Sequence, residues 1–534
     1  MKKLFTFFLI GFLASTATAK SVENEMYFRA MKDEMKRTLK ELRLPGEMPP
    51  YYVAYIVTQK HQFKARAALG TVFPTPFTDR TGDISVMGIL QIGNNKNNNT
   101  GYFNNNRSWQ YIGQESSSDS YEGIRQALWN VSNTQYLESI EQYKEKEAYI
   151  RRKNIKEQKP DVVPASQGTY IEKIPPWKPA DREQINAWLA KVSAWGKEVS
   201  FLNNFLVTAW QEQQNDYYLN SRGAKYQVFD TEYRINVSAV FFQPDGYEET
   251  RRTTIFLRDF SASQLAKAEQ EIHQFLQKLK GLYGAPEATF YLGPVLYKPT
   301  DAAGLLNELF FAKIQKVVPW WNDGSDEDFS SGLLRKKLGL RVMSLGITVY
   351  DRPHARDYEG ILLPGFSWLD WEGVPSEELT LIADGRLKQV PLSQRPLFLP
   401  KEHKSNGHAL MISRYGGLRE KTSTIFVEPT ENFTDEQMEE KLLARCKELG
   451  LDYCYIKKGN DFQRIYTKDG RKEWVIGLRE NKMTDRSLRD ILAVGGNKEL
   501  INREFITPSL LVDEIELVPQ DRKPGKLPPV ARPE

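Results

Sequence analysis

The sequence contains few of the residues that build disulfide frameworks and metal centres. Among its 534 residues there are two cysteines and five histidines. Two cysteines exclude a disulfide-stapled scaffold. Cys446 and Cys454 are either two unrelated buried thiols or, in an oxidising compartment, one disulfide. Both alternatives stay open at the level of the sequence.

The chain also lacks a strong excess of charge of either sign. It carries 73 Lys and Arg against 69 Asp and Glu, which gives a formal net charge of +4. A nucleic-acid-binding protein needs a concentrated basic surface, so nucleic acid is excluded as the expected partner. The length corresponds to about three domains of roughly 150 residues, and 40% of the residues are hydrophobic. These values predict a large globular protein.

Long hydrophobic runs are missing except at the N-terminus. Two lysines precede an apolar run over residues 4–13, and residues 17–19 form an A-x-A cleavage site. This run is too short to span a bilayer. We therefore predict that residues 1–19 are a signal peptide and that the mature chain begins at Lys20. The expected location is a bacterial periplasm, with no membrane span after signal removal.

Hydrophobic periodicity predicts an α+β fold. Apolar residues spaced by three and four predict helices over residues 22–44, 121–152, 261–282 and 435–449, and a further helix near Asp181. Alternating patterns and turn residues, such as Pro244-Asp245-Gly246 and Ala383-Asp384-Gly385, predict strands and hairpins. Strands are predicted over residues 51–58, 63–72, 84–92, 233–241, 250–257, 343–350, 378–382, 385–390, 422–427, 453–457 and 510–517.

These elements divide the mature chain into two predicted domains. The N-terminal α+β domain covers residues 20–290 and includes a Pro-rich connector at residues 153–181. The C-terminal domain, residues 291–518, is rich in predicted sheet. Residues 519–534 form a Pro-rich tail, which we expect to be extended.

Motifs for common hydrolytic and nucleotide chemistry are absent. The sequence has no H-E-x-x-H, and the loop from His403 to His408 places Lys404 where a zinc peptidase needs a glutamate base. Residues 365–369, G-F-S-W-L, lack the final glycine of a serine-hydrolase nucleophile elbow. Neither Gly-rich phosphate-binding motif is present. The motifs therefore do not indicate an enzyme class.

Five stretches, in this order, resemble the TldD/PmbA family of metallopeptidase-related proteins and modulators of gyrase. Residues 218–223 resemble its strand that ends in an N-S-x-G turn, and residues 370–375, D-W-E-G-V-P, resemble its D-D-E-G-x-P segment. Residues 379–388 resemble its L-I-x-x-G-x-L-K hairpin. Residues 405–408, S-N-G-H, and 424–429 resemble the turn and strand that follow. The resemblance implies an N-terminal α/β domain followed by a sheet-rich C-terminal domain of the TldD/PmbA type.

The resemblance also shows where zinc ligands should stand. Active family members carry H-E-x-x-x-H on a helix and a cysteine near the C-terminus. In the matching register this chain has Asn307, Glu308 and Ala312, and residues 502–509 contain no cysteine. A zinc hydrolase built in the family's way is therefore not expected. The resemblance implies a non-catalytic structural or peptide-binding subunit, without cofactor, in a homodimer or in a heterodimer with a zinc-bearing TldD-type subunit.

The candidate pocket residues lie in the two turns that carry the resemblance. They are Asp370, Glu372, Gly373, Asn406, Gly407 and His408, and a bound peptide is the expected ligand. The glycines could equally serve only turn geometry.

Two other functions stay open at this level. One is an active metallopeptidase whose zinc site has been rebuilt from His403 and His408, with Glu402 or His354. The other is a periplasmic polymer-binding protein that uses Trp320, Trp321, Trp368 and Trp371 as an aromatic platform. Core packing is the structural alternative for these tryptophans.

Overall fold

The computed structural model describes most of the chain. The described residues are 25–74, 79–100, 112–156, 160–315, 337–395, 404–411, 418–481, 483–523 and 525. The predicted signal peptide, His403, Glu402, Trp320, Trp321 and most of the Pro-rich tail lie outside these ranges.

The N-terminal half is built on an eight-stranded sheet with the order β4-β3-β1-β6-β7-β5, in which β2 also pairs with β1 and β8 with β7. Its long central strands are antiparallel neighbours. The strands are β1 (Pro50–Ala68), β2 (Thr71–Val72), β3 (Arg80–Ile92), β4 (Ile112–Glu115), β5 (Thr169–Ile171), β6 (Leu202–Asn220), β7 (Lys225–Phe242) and β8 (Glu248–Leu257).

Four helices cover parts of this sheet. Helix α1 (25–41) and helix α2 (Tyr121–Arg152) pack on β1 and β3 through residues such as Met31 and Leu128. Helix α3 (Arg182–Ala194) and helix α4 (Ala262–Leu282) pack against the other end of the long strands. Two apolar cores therefore flank a central polar stretch of strands, and that stretch positions the candidate site.

The C-terminal half contains an eleven-stranded mixed sheet with the order β14-β13-β10-β17-β23-β9-β18-β19-β20, and β21 and β22 also pair with β23. Its strands are β9 (Tyr291–Tyr297), β10 (Ile347–Asp351), β13 (Leu379–Ala383), β14 (Arg386–Leu387), β17 (Ile425–Pro429), β18 (Tyr453–Lys458), β19 (Asp461–Tyr466), β20 (Lys472–Val475), β21 (Leu478–Glu480), β22 (Ile491–Ile501) and β23 (Phe505–Pro519). Two small hairpins lie outside it, β11 (Asp357–Tyr358) with β12 (Ile361–Leu362), and β15 (Ala409–Met411) with β16 (Leu418–Glu420).

Helices of the C-terminal half close its single large core. Helix α5 (Pro299–Leu306) continues through a π-helical turn (Asn307–Phe311) into the short helix α6 (Ala312–Ile314). Helix α7 (Asp435–Glu448) begins with a capping box between Thr434 and Gln437. These helices bury Leu306, Phe310 and Leu442 against the sheet. The α+β fold class predicted from the sequence is confirmed.

Several predicted strand boundaries are wrong. The two strands predicted at 51–58 and 63–72 are one continuous strand, β1, because the polar residues between them keep their pairing with β6. The chain turns only after Ala68, at Leu69 and Gly70, which both have positive φ. The strand predicted at 343–350 begins at Ile347, because Gly346 adopts a turn conformation with φ of 78°. The strand predicted at 385–390 is reduced to Arg386–Leu387.

Among the described residues, no helix is long and apolar enough to cross a membrane.

Candidate functional site

The turn at residues 370–374 is organised by the carboxylate of Asp370. One carboxylate oxygen, Oδ1, accepts hydrogen bonds from the backbone N–H groups of Glu372 and Val374, both at 2.9 Å. The other, Oδ2, accepts from the N–H of Ala409 at 3.0 Å and so ties this turn to β15. Asp370 is fully buried. Burial, followed by the nearby charge of Glu372, raises the pKa of Asp370 to about 7, although the three N–H donors oppose the rise.

Gly373 brings this turn into direct contact with the turn between β6 and β7. Its φ is 82°, and a Cβ atom at this position would lie 2.4 Å from Cβ of Ala224 and 2.8 Å from Nδ2 of Asn220. Nδ2 of Asn220 donates to the backbone oxygen of Glu372 at 3.3 Å. Two of the segments that carry the family resemblance therefore pack on each other, and only glycine fits between them.

The side chain of Glu372 points to a third segment. Its Oε2 accepts a hydrogen bond from the N–H of Gln394 at 2.8 Å, and its Oε1 lies 3.3 Å from Nε of Arg395. All three residues are buried. Glu372 thus holds the segment at residues 393–395 against the Asp370 turn.

Asn406, Gly407 and His408 form a second buried turn. Oδ1 of Asn406 accepts from the N–H of Leu392 at 2.7 Å, and its Nδ2 donates to the oxygen of Val390 at 3.0 Å. Gly407 has φ of 72°, and a Cβ atom there would lie 2.3 Å from the backbone oxygen of Pro375. The structure therefore brings the predicted residues of the two turns together, and all of them are buried. Their role in lining a peptide pocket stays a prediction.

His408 belongs to a buried polar cluster with Asp351 and Ser423. Its Nδ1 lies 2.8 Å from the backbone oxygen of Asn406, so this nitrogen carries a proton. Its Nε2 lies 3.2 Å from Oδ2 of Asp351. Burial lowers the pKa of His408, but the Asp351 carboxylate and the Asn406 carbonyl outweigh burial and raise it overall.

Asp351 in turn fixes the segment at residues 422–424. It accepts hydrogen bonds from the N–H and Oγ of Ser423 and from the N–H of Thr424. The Ser423 hydroxyl therefore donates to a carboxylate, whereas a serine nucleophile needs a base such as imidazole to take its proton. We infer that this cluster positions the segment rather than reacts.

A cavity of about 290 Å³ lies beside this cluster, between the N-terminal sheet and the C-terminal loops. Its size is near the lower end of ligand pockets, which is roughly 300 Å³. One wall is formed by the central part of β6 and β7. The opposite walls are formed by residues 363–367, Trp371, Leu410 and Met411, and residues 421–423.

The sheet wall was not found by sequence reasoning. Strand register places Thr58 beside Asp216 and Asp216 beside Val228, so side chains from β1, β6 and β7 share one face. Glu212 and Gln214 lie on the same face because residues two apart in a strand point the same way. The available signal was the polar run Q-E-Q-Q-N-D at residues 211–216 inside a long strand. Its odd-numbered residues face the other side, where Gln211 and Gln213 bind the connector backbone at Lys178 and Pro175.

The segment that should carry the zinc motif retains a special backbone conformation. The N–H of Ala312 donates to the oxygen of Asn307, five residues earlier, which closes a π-helical turn. In a regular α-helix, residues five apart lie about 140° apart around the axis. The π turn brings positions 307 and 312 closer to one face, which suits two ligands with the H-E-x-x-x-H spacing.

The side chains on this turn do not fit a zinc ion. Asn307 and Ala312 offer no imidazole, and Glu308 is exposed. Among the described residues, no group of three or more His, Cys, Asp or Glu side chains could hold a metal ion. The residue set in the described ranges therefore disagrees with the ligand set that the family resemblance implies.

The remaining candidate residues have other surroundings. His403 lies outside the described residues, and both ring nitrogens of its predicted partner His408 face other groups. His354 stacks on Trp368 with ring centroids 4.2 Å apart. Cys446 and Cys454 are free thiols, buried between α7 and β18.

Of the four tryptophans proposed as an aromatic platform, one lies at the surface and one in the cavity. Trp368 is 42% exposed and stacks on Tyr170, while Trp371 lines the cavity. Trp320 and Trp321 lie outside the described residues.

The sequence pattern of the PmbA/TldA metallopeptidase C-terminal domain matches residues 293–518. This part of the chain therefore matches the C-terminal domain of the TldD/PmbA family. The matched part contains the eleven-stranded sheet, both buried turns and the π turn. The resemblance seen in the sequence is thereby confirmed.

Solved structures of similar fold span nearly the whole chain. A Thermotoga maritima protein, described as a candidate modulator of a DNA gyrase, is 13% identical with a TM-score of 0.59 over 88% of this chain and 96% of its own. TldE from Thermococcus kodakarensis is 14% identical, with a TM-score of 0.57 over 92% of this chain and 100% of its own. At such identities the likeness concerns the fold. No curated protein matches the chain.

A third similar structure comes from Bacteroides thetaiotaomicron and is also described as a candidate modulator of DNA gyrase. It is 12% identical, with a TM-score of 0.55 over 93% of this chain and 98% of its own. The similarity in fold therefore includes the N-terminal sheet of this chain.

Proposed function

We propose that this TldD/PmbA protein is a non-catalytic, peptide-binding subunit of the bacterial periplasm that pairs with a second subunit, either a copy of itself or a zinc-bearing TldD-type chain. The observation that carries the proposal is the π turn at residues 307–311. Its backbone suits the family's zinc motif, but Asn307 and Ala312 stand where the two histidines belong. Without these imidazoles, the described residues offer no means of acidifying a metal-bound water.

The cavity supports a binding role. It combines aromatic walls with polar side chains from the N-terminal sheet, as ligand pockets do. The two buried turns and the Asp351 cluster fix the loops that cover it, so the cavity is preformed. A preformed cavity binds a ligand without first ordering the protein.

The periplasmic location follows from the predicted signal peptide at residues 1–19. Its test is direct: the full-length chain should be recovered from the periplasm with Lys20 as its N-terminal residue. Recovery from the cytoplasm with residues 1–19 intact would contradict this part of the proposal.

The catalytic part is tested by metal content and activity. Residues 20–534, purified without a metal-affinity tag, should contain less than about 0.1 zinc per chain by mass spectrometry and should not cleave peptides alone. A specific structural or catalytic site would give about one zinc per chain. About one zinc per chain, together with peptidase activity, would overturn the proposal in favour of a rebuilt metal site.

The same experiment can locate a rebuilt site if one exists. Changing His403 and His408 to Ala should leave the metal content unchanged under our proposal. Loss of bound zinc in this double variant would assign the site to these histidines. The partner is tested separately, by measuring the mass of the chain alone and after mixing with a zinc-bearing TldD-type protein from the same cell.

A further inference from the structure

We propose that the cavity between the N-terminal sheet and the C-terminal loops binds a cationic group, an ammonium or guanidinium such as that of a lysine or arginine side chain in a peptide, with Asp216 as its counter-ion. The peptide part of this inference rests on the proposed function. The charge preference of the cavity does not, because it depends only on the side chains in its walls.

Asp216 has hydrogen-bond donors but no directly paired cation. Its Oδ1 accepts from Oγ1 of Thr58 at 2.6 Å, and its Oδ2 accepts from Nε2 of Gln214 at 2.8 Å. Both donors are neutral. Within the ranges that the structure describes, no Lys, Arg or His nitrogen lies within 4.0 Å of this carboxylate. A carboxylate has about four acceptor positions, so two remain for a ligand.

The other acidic side chains of the wall already have partners. Glu212 lies 2.8 Å from Nζ of Lys60. Asp230 and Glu232 both pair with the buried guanidinium of Arg503. Asp216 therefore differs from its acidic neighbours on the same sheet face.

The two basic side chains in the lining are also neutralised. Arg356 pairs with Glu172 at 2.9 Å, and Lys421 pairs with Glu504 at 3.2 Å. An anionic ligand would have to compete with these carboxylates, whereas a cation would meet Asp216 directly. The lining thus favours positive over negative ligands.

A second cavity differs from the first in that its acidic side chains are all paired with cations. It measures about 150 Å³ and is lined by Glu249, Arg251, Asp461 and Arg522, among others. There Arg251 pairs with both Glu249 and Asp461, and Arg522 pairs with Glu249. Its charges compensate one another, so it carries no comparable preference.

Asp216 is half-buried, and partial burial of a carboxylate that has no directly paired cation is unfavourable. Burial raises the pKa of Asp216, and the charge of Asp230 adds to the rise. The hydrogen bonds from Thr58 and Gln214 and the more distant charge of Lys60 lower this pKa but do not cancel the effect of burial. A bound cation would remove the cost by supplying an opposite charge in direct contact.

The rest of the lining suits a long, flexible cationic side chain. Phe366, Trp371 and Met411 contribute aromatic and aliphatic surface to the same cavity. The methylene stem of lysine or arginine packs on such surface while its charged end reaches a polar group. Aromatic rings add a further attraction for cations.

The test compares three probes by titration calorimetry on the chain without residues 1–19. The first is a blocked tripeptide Ala-Lys-Ala, the second is the same peptide with norleucine in place of lysine, and the third is agmatine, a free guanidinium amine. The binding variant is Asp216→Asn, which keeps the size and the acceptor for Thr58. Asp452→Asn, an exposed carboxylate change before β18, is the matched control. Unfolding midpoints establish that both variants are folded.

We expect the lysine peptide to bind at least about tenfold more tightly than the norleucine peptide. Asp216→Asn should abolish that difference and weaken agmatine binding by about tenfold, while Asp452→Asn should change neither. Equal affinity for both peptides, unaffected by Asp216→Asn, would overturn the cationic site and leave the peptide-binding function standing. Agmatine binding that depends on Asp216, without binding of either peptide, would support the cationic site and contradict the peptide-binding function. Failure of all three probes to bind would overturn the inference.

Discussion

Gly373 is a point of close contact between the two halves of the molecule beside the site. A side chain there has no room, because a Cβ atom would lie 2.4 Å from Cβ of Ala224 and would also need φ of 82°. Gly223, in the facing turn, has φ of 101°, but a Cβ atom there would have no other heavy atom within 4 Å. The pair separates the effect of crowding from the effect of backbone conformation.

We expect Gly373→Ala to lower the free energy of unfolding by about 3 kcal/mol, since it combines a clash with backbone strain. Gly223→Ala should cost about 1 kcal/mol, from backbone strain alone. Urea unfolding of both variants and of the unchanged chain measures the difference. Equal losses in the two variants would show that the turns have room to separate.

Asp370 makes stability depend on pH. Its pKa is about 7 in the folded protein, against about 4 in an unfolded chain. The folded state therefore binds more protons between these values, and this contribution to stability is lost as the pH rises from about 4 to about 7. His408, whose pKa is also raised, loses its contribution in the same direction at higher pH.

We expect the free energy of unfolding of the unchanged chain to fall over this range more steeply than that of Asp370→Asn. The measurement is a series of urea titrations from about pH 4.5 to about pH 8. His61→Ala is a control of opposite sign: burial lowers the pKa of this half-buried histidine, so its removal should make the fall slightly steeper. Parallel profiles for Asp370→Asn and the unchanged chain would contradict the raised pKa of Asp370.

At the scale of single elements, the π turn after α5 is the most informative. Its hydrogen bond from Ala312 to Asn307 brings these positions toward one face. If that face corresponds to the family's ligand positions, replacing both residues with histidine should create a metal site next to Glu308.

We expect Asn307→His combined with Ala312→His to bind zinc at least about tenfold more tightly than either single variant, because two imidazoles then reach one ion. Competition with a zinc-sensitive dye measures this, and the single variants are the controls. Both positions are at least partly accessible, so the changes do not disturb the core. A double variant no better than the singles would show that the motif register is wrong.

The sequence predicted elements whose signals are local. The predictions of the helix Tyr121–Arg152 and of the hairpin around Pro244-Asp245-Gly246 agree with the structure. The helix is determined by the periodicity of its own residues, and the hairpin by the turn residues between its strands. The continuous strand β1 was predicted as two strands. Its polar centre has no local strand signal, because it is held by pairing with β6, which is distant in the sequence.

The candidate site shows the same limit. The turns at residues 370–374 and 405–408 were found from the resemblance, and their glycines do need positive φ. The cavity wall at Asp216 was not predicted. A polar run in a strand becomes the wall of a cavity only when loops from a distant part of the chain cover it. Asp230 has a directly paired cation, Arg503, whereas Asp216 has none within the described ranges. Arg503 is 273 residues from Asp230 in the sequence, so a local pattern could not reveal this difference.

At the scale of the whole molecule, Arg503 links the two sheets. It lies in the turn between β22 and β23, has positive φ and is buried. Its guanidinium pairs with Asp230 and Glu232 on β7 and donates to the backbone oxygen of Leu362 at 2.8 Å. One side chain of the C-terminal half thus pairs with two carboxylates of the N-terminal sheet, of which Glu232 also pairs with Arg234.

We expect Arg503→Met to lower the free energy of unfolding by about 3 kcal/mol, since it leaves Asp230 without its cation and Glu232 with Arg234 alone. Arg486→Met, which removes an arginine whose side chain is 80% exposed, should change it by less than about 0.5 kcal/mol. Thermal and urea unfolding of both variants measure the contrast. Similar small effects would mean that the sheets are held together mainly by their apolar contacts.

The position of β23 determines how much of the chain must be present before the C-terminal half can fold. This last strand, Phe505–Pro519, lies between β17 and β9 and also pairs with β21 and β22. The N-terminal sheet is complete once Leu257 has been made, but the C-terminal sheet lacks its centre until about 260 residues later. A chain that ends between Leu257 and Phe505 would therefore expose apolar strands to chaperones and proteases beside a complete N-terminal sheet.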